Sequence, residues 1–255
     1  MSRAVDRMVD ILDCFSSEEP HLSLADVADR TQLDRATTLR FLNALATRGV
    51  LRRDPASKRY TFGMRLIEWG AQAYGSVDLT QAAEPVLRDL MLASDASAVL
   101  YVRSGNERVC LAVVESKDRV RHVVQLGHTL SLTLAAGGHA ILAALPPADA
   151  CAVISSDATL TSDDRATVEA QVASARERGY AFTPHIIESR AWSIGCPVFD
   201  HQGIALGSIT ATAPDAELDA AREAHIAHAV LHAARALSLA LRAPRDCWPW
   251  GVSAG

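Results

Sequence analysis

The sequence is poor in several features that mark specialised classes of protein. Its 255 residues include only five cysteines, which are scattered and form no CxxC pair, so a disulfide scaffold is excluded and free thiols in a reducing cytoplasm are expected. Aromatic residues make up only 5%, but apolar residues make up 49% and charged residues 22%, which excludes a largely disordered chain. The start of the chain lacks the apolar core of a secretory signal. We therefore expect a soluble, cytoplasmic protein, long enough for two domains.

Residues 122–148 contain no Asp, Glu, Lys or Arg and would be long enough to span a membrane. The same stretch contains Gly137-Gly138 and Pro146-Pro147, together with several other polar residues that a lone spanning helix would tolerate badly. We interpret it as a strand, a hollow of ligand size and a buried helix inside a soluble domain.

Motifs of enzymatic chemistry are missing as well. The chain has no GxSxG, no Walker phosphate loop, no GxGxxG and no HExxH. Cys196 lies in an apolar run and is expected to be a buried small hydrophobe rather than a nucleophile. His225, His228 and His232 have ligand-compatible spacing on one helix, but no Cys or acidic fourth ligand is local. The sequence therefore predicts no catalytic residue, no metal and no cofactor.

Charge is distributed unevenly along the chain. The formal net charge is −5, yet residues 30–65 carry nine basic and only two acidic side chains. A local basic surplus in an acidic protein suggests a surface for a polyanion, although a solvated helix face would give the same count. Only two of the 25 basic residues are lysines, Lys58 and Lys117. Arginine suits phosphates and guanine edges, but its excess also fits a GC-rich genome.

The basic segment has the pattern of a winged helix-turn-helix. Apolar spacing predicts a helix up to about Cys14, a helix over Leu24–Thr31 and a third from the N-cap Asp34 to about Arg48, with Leu39 and Leu42 inward. A basic hairpin follows, with strands at 50–53 and 58–62. The third helix would present its first turns to DNA bases and the hairpin would neutralise phosphates. The predicted DNA-binding residues are Arg35, Thr37, Thr38, Arg40, Arg52, Arg53, Lys58 and Arg59.

Several runs resemble the IclR-type transcriptional regulators. In the N-terminal part these are residues 22–28, 34–45 and 49–53; downstream they are residues 59–63, 176–181, 193–200 and 207–214. The resemblance covers nearly the whole chain in order. It implies a DNA-binding protein with a GAF-like ligand-binding domain at its C-terminal end.

The remaining residues predict an α+β domain with a central antiparallel sheet. Predicted strands are 98–103, 109–115, 122–126, 193–199 and 204–213, and predicted helices are 79–93, 138–145, 149–154, 163–178 and 216–241. The expected organisation is a winged helix-turn-helix DNA-binding domain at 1–63, a linker and dimerisation helix at 64–77, an effector-binding domain at 78–243 and a loose tail at 244–255.

The resemblance also implies an effector site against one face of the sheet. The residues at the matching positions are Ala136, Gly137, Ala191, Ser193, Thr210 and Thr212, with Leu132 as an apolar wall. Thr210 and Thr212 are two apart in a predicted strand, so both point to one face, although β-propensity alone would also explain threonines there. Arg190 pairs with a ligand carboxylate or with Glu188, and Trp192 stacks on an aromatic ring or faces the core.

Local departures from the family put its usual ligands in question. The family commonly has a histidine near Thr133, a lysine at His139 and Pro-Gly-Val at 189–191. The prediction is a homodimer, pairing into a tetramer, that binds double-stranded operator DNA and a small organic acid, including aromatic acids. The alternatives are an enzyme that acts on such an acid through the C-terminal domain and a winged helix used only for protein contacts.

Overall fold

The computed structural model describes residues 3–16, 19–73, 79–116, 125–186, 191–214, 218–245 and 247. The chain divides into two compact units, residues 1–78 and residues 79–255. Within the described part, no helix is long and apolar enough to cross a membrane.

The first unit contains the predicted three helices and β-hairpin, followed by a fourth helix. Its core joins Ile11, Val27, Leu42, Leu51 and Tyr60 from five different elements. The strands pair antiparallel, and Leu22 adds a bridge to Tyr60. The elements are α1 (Arg3–Asp13), α2 (Leu24–Thr31), α3 (Arg35–Thr47), β1 (Leu51–Arg53), β2 (Tyr60–Phe62) and α4 (Arg65–Ala73).

Side-chain caps set where the helices of this unit begin. Ser23 and Asp26 form a reciprocal capping box at the start of α2, and the Asp34 carboxylate accepts the Thr37 amide at the start of α3. Gly49 ends the turn after α3 with a φ of +73°, a conformation that favours glycine. A side chain at Gly63 would collide with the Gly49 carbonyl, so this glycine lets the hairpin close against the end of α3.

The second unit is an α+β domain built on one six-stranded antiparallel sheet. The strand order is β5-β4-β3-β8-β7-β6. Its elements are α5 (Leu79–Ser94), β3 (Ser97–Ser104), β4 (Glu107–Val114), β5 (Thr129–Ser131), α6 (Ala135–Ala144), α7 (Pro147–Ser156), α8 (Ser162–Arg178), β6 (Ala181–Ile186), β7 (Ala191–Phe199), β8 (Ala205–Pro214) and α9 (Ala220–Ala240).

The two faces of this sheet differ in chemistry. One face carries Leu100, Ile194 and Ile209 and packs against α5 and α9 in the main apolar core. The other face carries Tyr101, Ser193 and Thr210 and is covered by α6, behind which α7 and α8 form a second core. Alternation along each strand separates the apolar face from the polar one. The polar face is therefore enclosed rather than exposed to water.

The structure differs from the predicted elements at the 122–126 strand, at β6 and in the tail, and two predicted helices extend beyond the described residues. The expected strand at 122–126 has its first three residues outside the described part, and Gln125 and Leu126 are not in a strand; the edge strand is β5 instead. Strand β6 was not predicted. Residues 74–77 of the expected linker helix and 216–217 of the last helix lie outside the described residues. Within the expected loose tail, Cys247 packs against the cluster of Phe199, Ala205 and Ala243.

Candidate functional site

Helix α3 presents a basic face at the surface of the first unit. Arg35 and Arg40 are exposed in its first two turns, and Thr37 is half-buried beside them. The guanidinium of Arg40 lies 5.6 Å from the Phe41 ring centroid, which orients it along the helix surface. The helix N-terminus adds a positive partial charge at the same end. This arrangement of charges is suited to contact with the base edges and the phosphate backbone of a nucleic acid.

Two predictions for α3 are wrong. Thr38 was expected to face outward but is fully buried, and its hydroxyl donates to the Asp34 carbonyl at 3.0 Å. Leu39 was expected to face inward but is exposed between the two arginines. Helix α3 is therefore rotated by about one position relative to the predicted inner face, because Thr38 and Phe41 pack inward with Leu42.

The hairpin adds further positive charge. Arg52, Arg53 and Lys58 are exposed, and the Arg53 guanidinium lies 5.6 Å from the Tyr60 ring centroid. Arg59 differs from the others because its Nη1 donates to the His21 carbonyl at 2.8 Å and lies 3.6 Å from a carboxylate oxygen of Asp26. Arg59 therefore joins the hairpin to the start of α2 while remaining half exposed.

Two acidic residues in this region are held by local hydrogen bonds. Hydrogen bonds from Thr37 lower the pKa of Asp34. Hydrogen bonds from Ser57 and Ala56 lower the pKa of Asp54 in the hairpin turn. Both carboxylates are used locally, at the helix start and at the turn. Within the described residues, neither carboxylate forms an ion pair with an arginine of α3 or the hairpin.

The polar face of the sheet in the second unit brings together most of the predicted effector residues. Ser193 on β7 pairs in register with Thr212 on β8, and Gly195 pairs with Thr210. The Ser193 hydroxyl accepts the Ala136 amide of α6 at 3.3 Å. The Thr210 hydroxyl is buried and has no hydrogen-bond partner among the described residues. One enclosed layer therefore contains Thr210, Ser193, Ala136 and Gly137. Thr212 is half-buried at the end of this layer.

Glycines let α6 approach the sheet closely. A Cβ at Gly195 would lie 2.8 Å from the Ala136 carbonyl oxygen, and one at Gly138 would collide with the Leu132 carbonyl. A Cβ at Gly137 would lie 3.0 Å from a Thr210 methyl, 3.3 Å from Arg108 Nε and 3.3 Å from the Tyr101 ring. Thr210, Arg108 and Tyr101 consequently meet beneath the first turn of α6.

Arg108 and Tyr101 were missed by the sequence analysis. Arg108 on β4 is only 2% exposed, and its Nη1 donates to the Ser131 carbonyl. Its guanidinium lies 4.9 Å from the Tyr101 ring centroid. Burial lowers the pKa of Arg108 to about 10 and raises the pKa of Tyr101 to about 12, so Arg108 stays charged and Tyr101 neutral at neutral pH. The sequence did contain a signal for Arg108, because alternation along the strand places it on the same face as Cys110.

The turn before α6 is held by two polar anchors. The Asp157 carboxylate accepts the hydroxyls of Thr133 at 2.6 Å and of Ser131 at 3.0 Å. Hydrogen bonds from Thr133 and Thr159 hold the pKa of Asp157 at about 2. His139 Nε2 lies 2.8 Å from the Thr133 carbonyl, and burial lowers the pKa of His139 to about 4. His139 is therefore neutral at neutral pH and donates from Nε2.

The other predicted effector residues have different placements. Leu132 packs into the second core with the apolar side of α6, and Ala191 is fully buried at the start of β7. Trp192 lies in the main core on the opposite face of the sheet from Ser193, so it faces the core. Cys196 is buried in the same core, and burial raises the pKa of its thiol. Arg190 lies outside the described residues.

Comparison with known proteins places both units in one family. Residues 71–239 match the family described as "Bacterial transcriptional regulator IclR C-terminal", and residues 4–55 match "IclR helix-turn-helix domain". The regulator BhcR of Paracoccus denitrificans is 30% identical over 251 residues, which cover 96% of this chain and 89% of BhcR. The regulator XynR of Escherichia coli is 26% identical over 249 residues, covering 95% of this chain and 98% of XynR.

Solved structures share the fold. An IclR-type regulator from Silicibacter sp. superimposes with a TM-score of 0.82 at 22% identity, covering 94% of this chain and 97% of that one. An IclR homologue from Microbacterium hydrocarbonoxydans, solved in complex with 4-hydroxybenzoate, superimposes with a TM-score of 0.81 at 22% identity, covering 94% of this chain and 99% of that one. With both of its units matched, the chain belongs to the IclR family of bacterial transcriptional regulators, with a DNA-binding helix-turn-helix at its N-terminal end.

Proposed function

We propose that this regulator controls a metabolic or catabolic operon in response to a small organic acid that binds in the second unit. The observation that carries the proposal is the enclosed polar face beneath α6, where the buried Thr210 hydroxyl has no partner among the described residues. Buried hydroxyls without a partner are costly, so such a group is typical of a site that a ligand completes. The fold neighbour bound to 4-hydroxybenzoate supports an acid as the ligand class.

For DNA recognition, we propose that α3 enters the major groove and that the hairpin tracks the backbone. Arg40 and Arg35 are exposed on the groove side of α3, where they can reach base edges, and exposed Leu39 lies between them to contact a thymine methyl. Arg52, Arg53 and Lys58 are placed to neutralise phosphates. Arg59 has a double role, since its contacts with His21 and Asp26 also stabilise the hairpin.

For assembly, we propose a homodimer that uses α4. Ile67 is 65% exposed and Trp69 47% exposed on this helix, and Met64 just before it is 70% exposed. Exposed apolar side chains this close together are unusual on a monomer and typical of an interface. A two-fold dimer would also present two copies of α3 to paired half-sites on the operator. Pairing of two dimers into a tetramer belongs to the same proposal.

The test is a thermal-shift screen of organic acids, followed by DNA binding with and without each hit. DNA selected from a randomised pool by the ligand-free protein supplies the probe, labelled for fluorescence anisotropy. We expect at least one acid to raise the melting temperature and to change the DNA affinity, because a ligand shifts the DNA-binding equilibrium when it binds the two states with different affinity. An acid that is chemically converted by the protein, with no effect on DNA binding, would favour the enzyme alternative.

A further inference from the structure

Arg108 is a buried cation that lacks a carboxylate partner within the described part of the second unit. It is 2% exposed, and no ion pair joins it to a described acid. Asp157, the acid that anchors the turn before α6, accepts hydroxyl donors from Thr133 and Ser131 instead. A buried charge without a counter-ion is costly, so its presence requires a compensating gain elsewhere.

The surroundings of Arg108 are rich in donors. Its Nε has no hydrogen-bond partner among the described residues, and neither has the Thr210 hydroxyl. The Nε lies next to Gly137, since a Cβ there would be 3.3 Å from it, and the Thr210 side chain approaches the same position with its methyl group, 3.0 Å from such a Cβ. Helix α6 starts at the same place; its N-cap residue Leu134 provides no side-chain acceptor, and the Ser193 hydroxyl accepts one amide of the first turn, that of Ala136. The Arg108 Nε and the first turn of α6 thus meet at Gly137, beside the Thr210 side chain of β8.

Arg176, another arginine of this domain, provides a comparison because its donors are used by backbone carbonyls of the protein itself. Arg176 on α8 donates from Nε to the Ala143 carbonyl at 3.0 Å and from Nη2 to the Leu145 carbonyl at 3.1 Å. Those contacts satisfy carbonyls at the C-terminal end of α6, where a cation is favourable. Arg108 lies near the opposite, positive end of the same helix. A cation near that end of a helix is electrostatically unfavourable, and an anion between the two would offset the cost.

We propose that Arg108 determines the specificity of the effector site by binding the carboxylate of the effector through its Nε edge, with the Thr210 hydroxyl as a second donor. The proposal rests on the function proposed above and adds to it the residue that selects the effector. An acid is selected over a neutral analogue of the same shape, because only the anion compensates the buried guanidinium. A charge-assisted hydrogen bond of this kind is stronger than one between neutral groups.

The experiment compares acids with a neutral analogue in calorimetry and thermal shift. The probes are benzoate, 4-hydroxybenzoate and acetate, with benzamide as the uncharged counterpart of benzoate. We expect the wild-type protein to bind at least one of the acids and to prefer benzoate to benzamide. Arg108→Met should weaken binding of the acid at least tenfold, which is about 1.4 kcal/mol. It should leave the weak affinity for benzamide little changed.

Arg103→Met is the matched control. Arg103 pairs with Arg108 across β3 and β4 and carries the same charge, but its Nε already donates to the Gly105 carbonyl at 2.9 Å. We expect this variant to bind the acid as the wild type does. If Arg108→Met does not fold, Gly137→Ala provides the second test, because it keeps the arginine, favours the helix and puts a methyl group into the space between Arg108 and Thr210. It should also weaken acid binding at least tenfold.

The outcomes separate this inference from the function on which it rests. If Arg108→Met binds the acid as tightly as the wild type while Thr210→Val does not, the site is correct and the role of Arg108 is overturned. If none of the acids binds the wild-type protein, or if benzamide binds as well as benzoate, both the role of Arg108 and the acid class are overturned. DNA binding by the ligand-free protein tests the regulator assignment separately.

Discussion

Replacing Thr210 with valine should stabilise the ligand-free protein and weaken its ligand binding at the same time. Thr210 is 2% exposed on β8, and its hydroxyl has no partner among the described residues. A buried hydroxyl without a partner costs about 1–3 kcal/mol, and valine has the same shape without that group. We therefore expect a gain of about 1 kcal/mol in the free energy of unfolding. For a domain of this size such a gain raises the melting temperature by about 2–4 °C.

The effect on the ligand has the opposite sign. Thr210→Val removes a donor from the proposed effector site, and adding Thr212→Val removes the second hydroxyl on the same face. Affinity for the acid should fall by about tenfold for each 1.4 kcal/mol of lost interaction. Calorimetry with 4-hydroxybenzoate, or with the best acid from the screen, measures the affinity, and differential scanning calorimetry measures the stability of the same preparations.

Ser208→Ala is the control on the same strand and the same face. The Ser208 hydroxyl is also buried, but it donates to the Gly137 carbonyl at 2.8 Å. Its removal should lower the melting temperature, because a satisfied hydrogen bond is lost. A Thr210→Val protein that melts lower than the wild type, and as low as Ser208→Ala, would refute the argument that the Thr210 hydroxyl is reserved for a ligand.

Three further expectations concern other parts of the chain. Hydrogen bonds in the folded protein keep the pKa of Asp157 at about 2, below its ordinary value of 3.8. Its contribution to the free energy of unfolding is therefore present above about pH 4 and is lost as the pH falls towards 2. Denaturant unfolding at pH 5 and pH 3 should show that Asp157→Asn loses less stability between the two pH values than the wild type does. Trp69→Ala with Ile67→Ala should shift the protein towards monomer in light scattering, and an unchanged mass would reject α4 as the interface. Lys58→Ala should weaken binding to all DNA sequences alike and reduce the salt slope by about one contact, whereas an unchanged slope excludes a phosphate contact.

Local signals predicted the first unit well because its elements are short and individually capped. The N-cap predicted at Asp34 is confirmed, and Ser23 and Gly49 perform similar roles at the start of α2 and just after α3. The error at Thr38 has a physical cause, since a threonine in a helix can donate to the carbonyl four residues earlier and be buried without a polar penalty. Helical spacing alone does not distinguish this from an outward-facing threonine.

The effector site was predicted only in part because its chemistry depends on non-local pairing. Alternation put Thr210 and Thr212 on one face of β8, and the structure agrees. Arg108 and Tyr101 lie together under Gly137 because of the register of β3 with β4 and β8 and because α6 approaches the sheet closely. The edge strand β5 is only three residues long, too short for a periodic signal. The residue pattern of one strand carries no information on which side chains of other elements it contacts.

The most direct test of the account is the DNA affinity of Arg40→Ala, measured by fluorescence anisotropy on DNA selected by the wild-type protein and on an unrelated duplex. Arg40 is exposed on α3, and replacing a base-reading arginine should cost about 1–3 kcal/mol on the selected DNA with little change on the unrelated duplex. Equal affinity of the wild type and Arg40→Ala for the selected DNA would contradict the docking of α3 in the major groove.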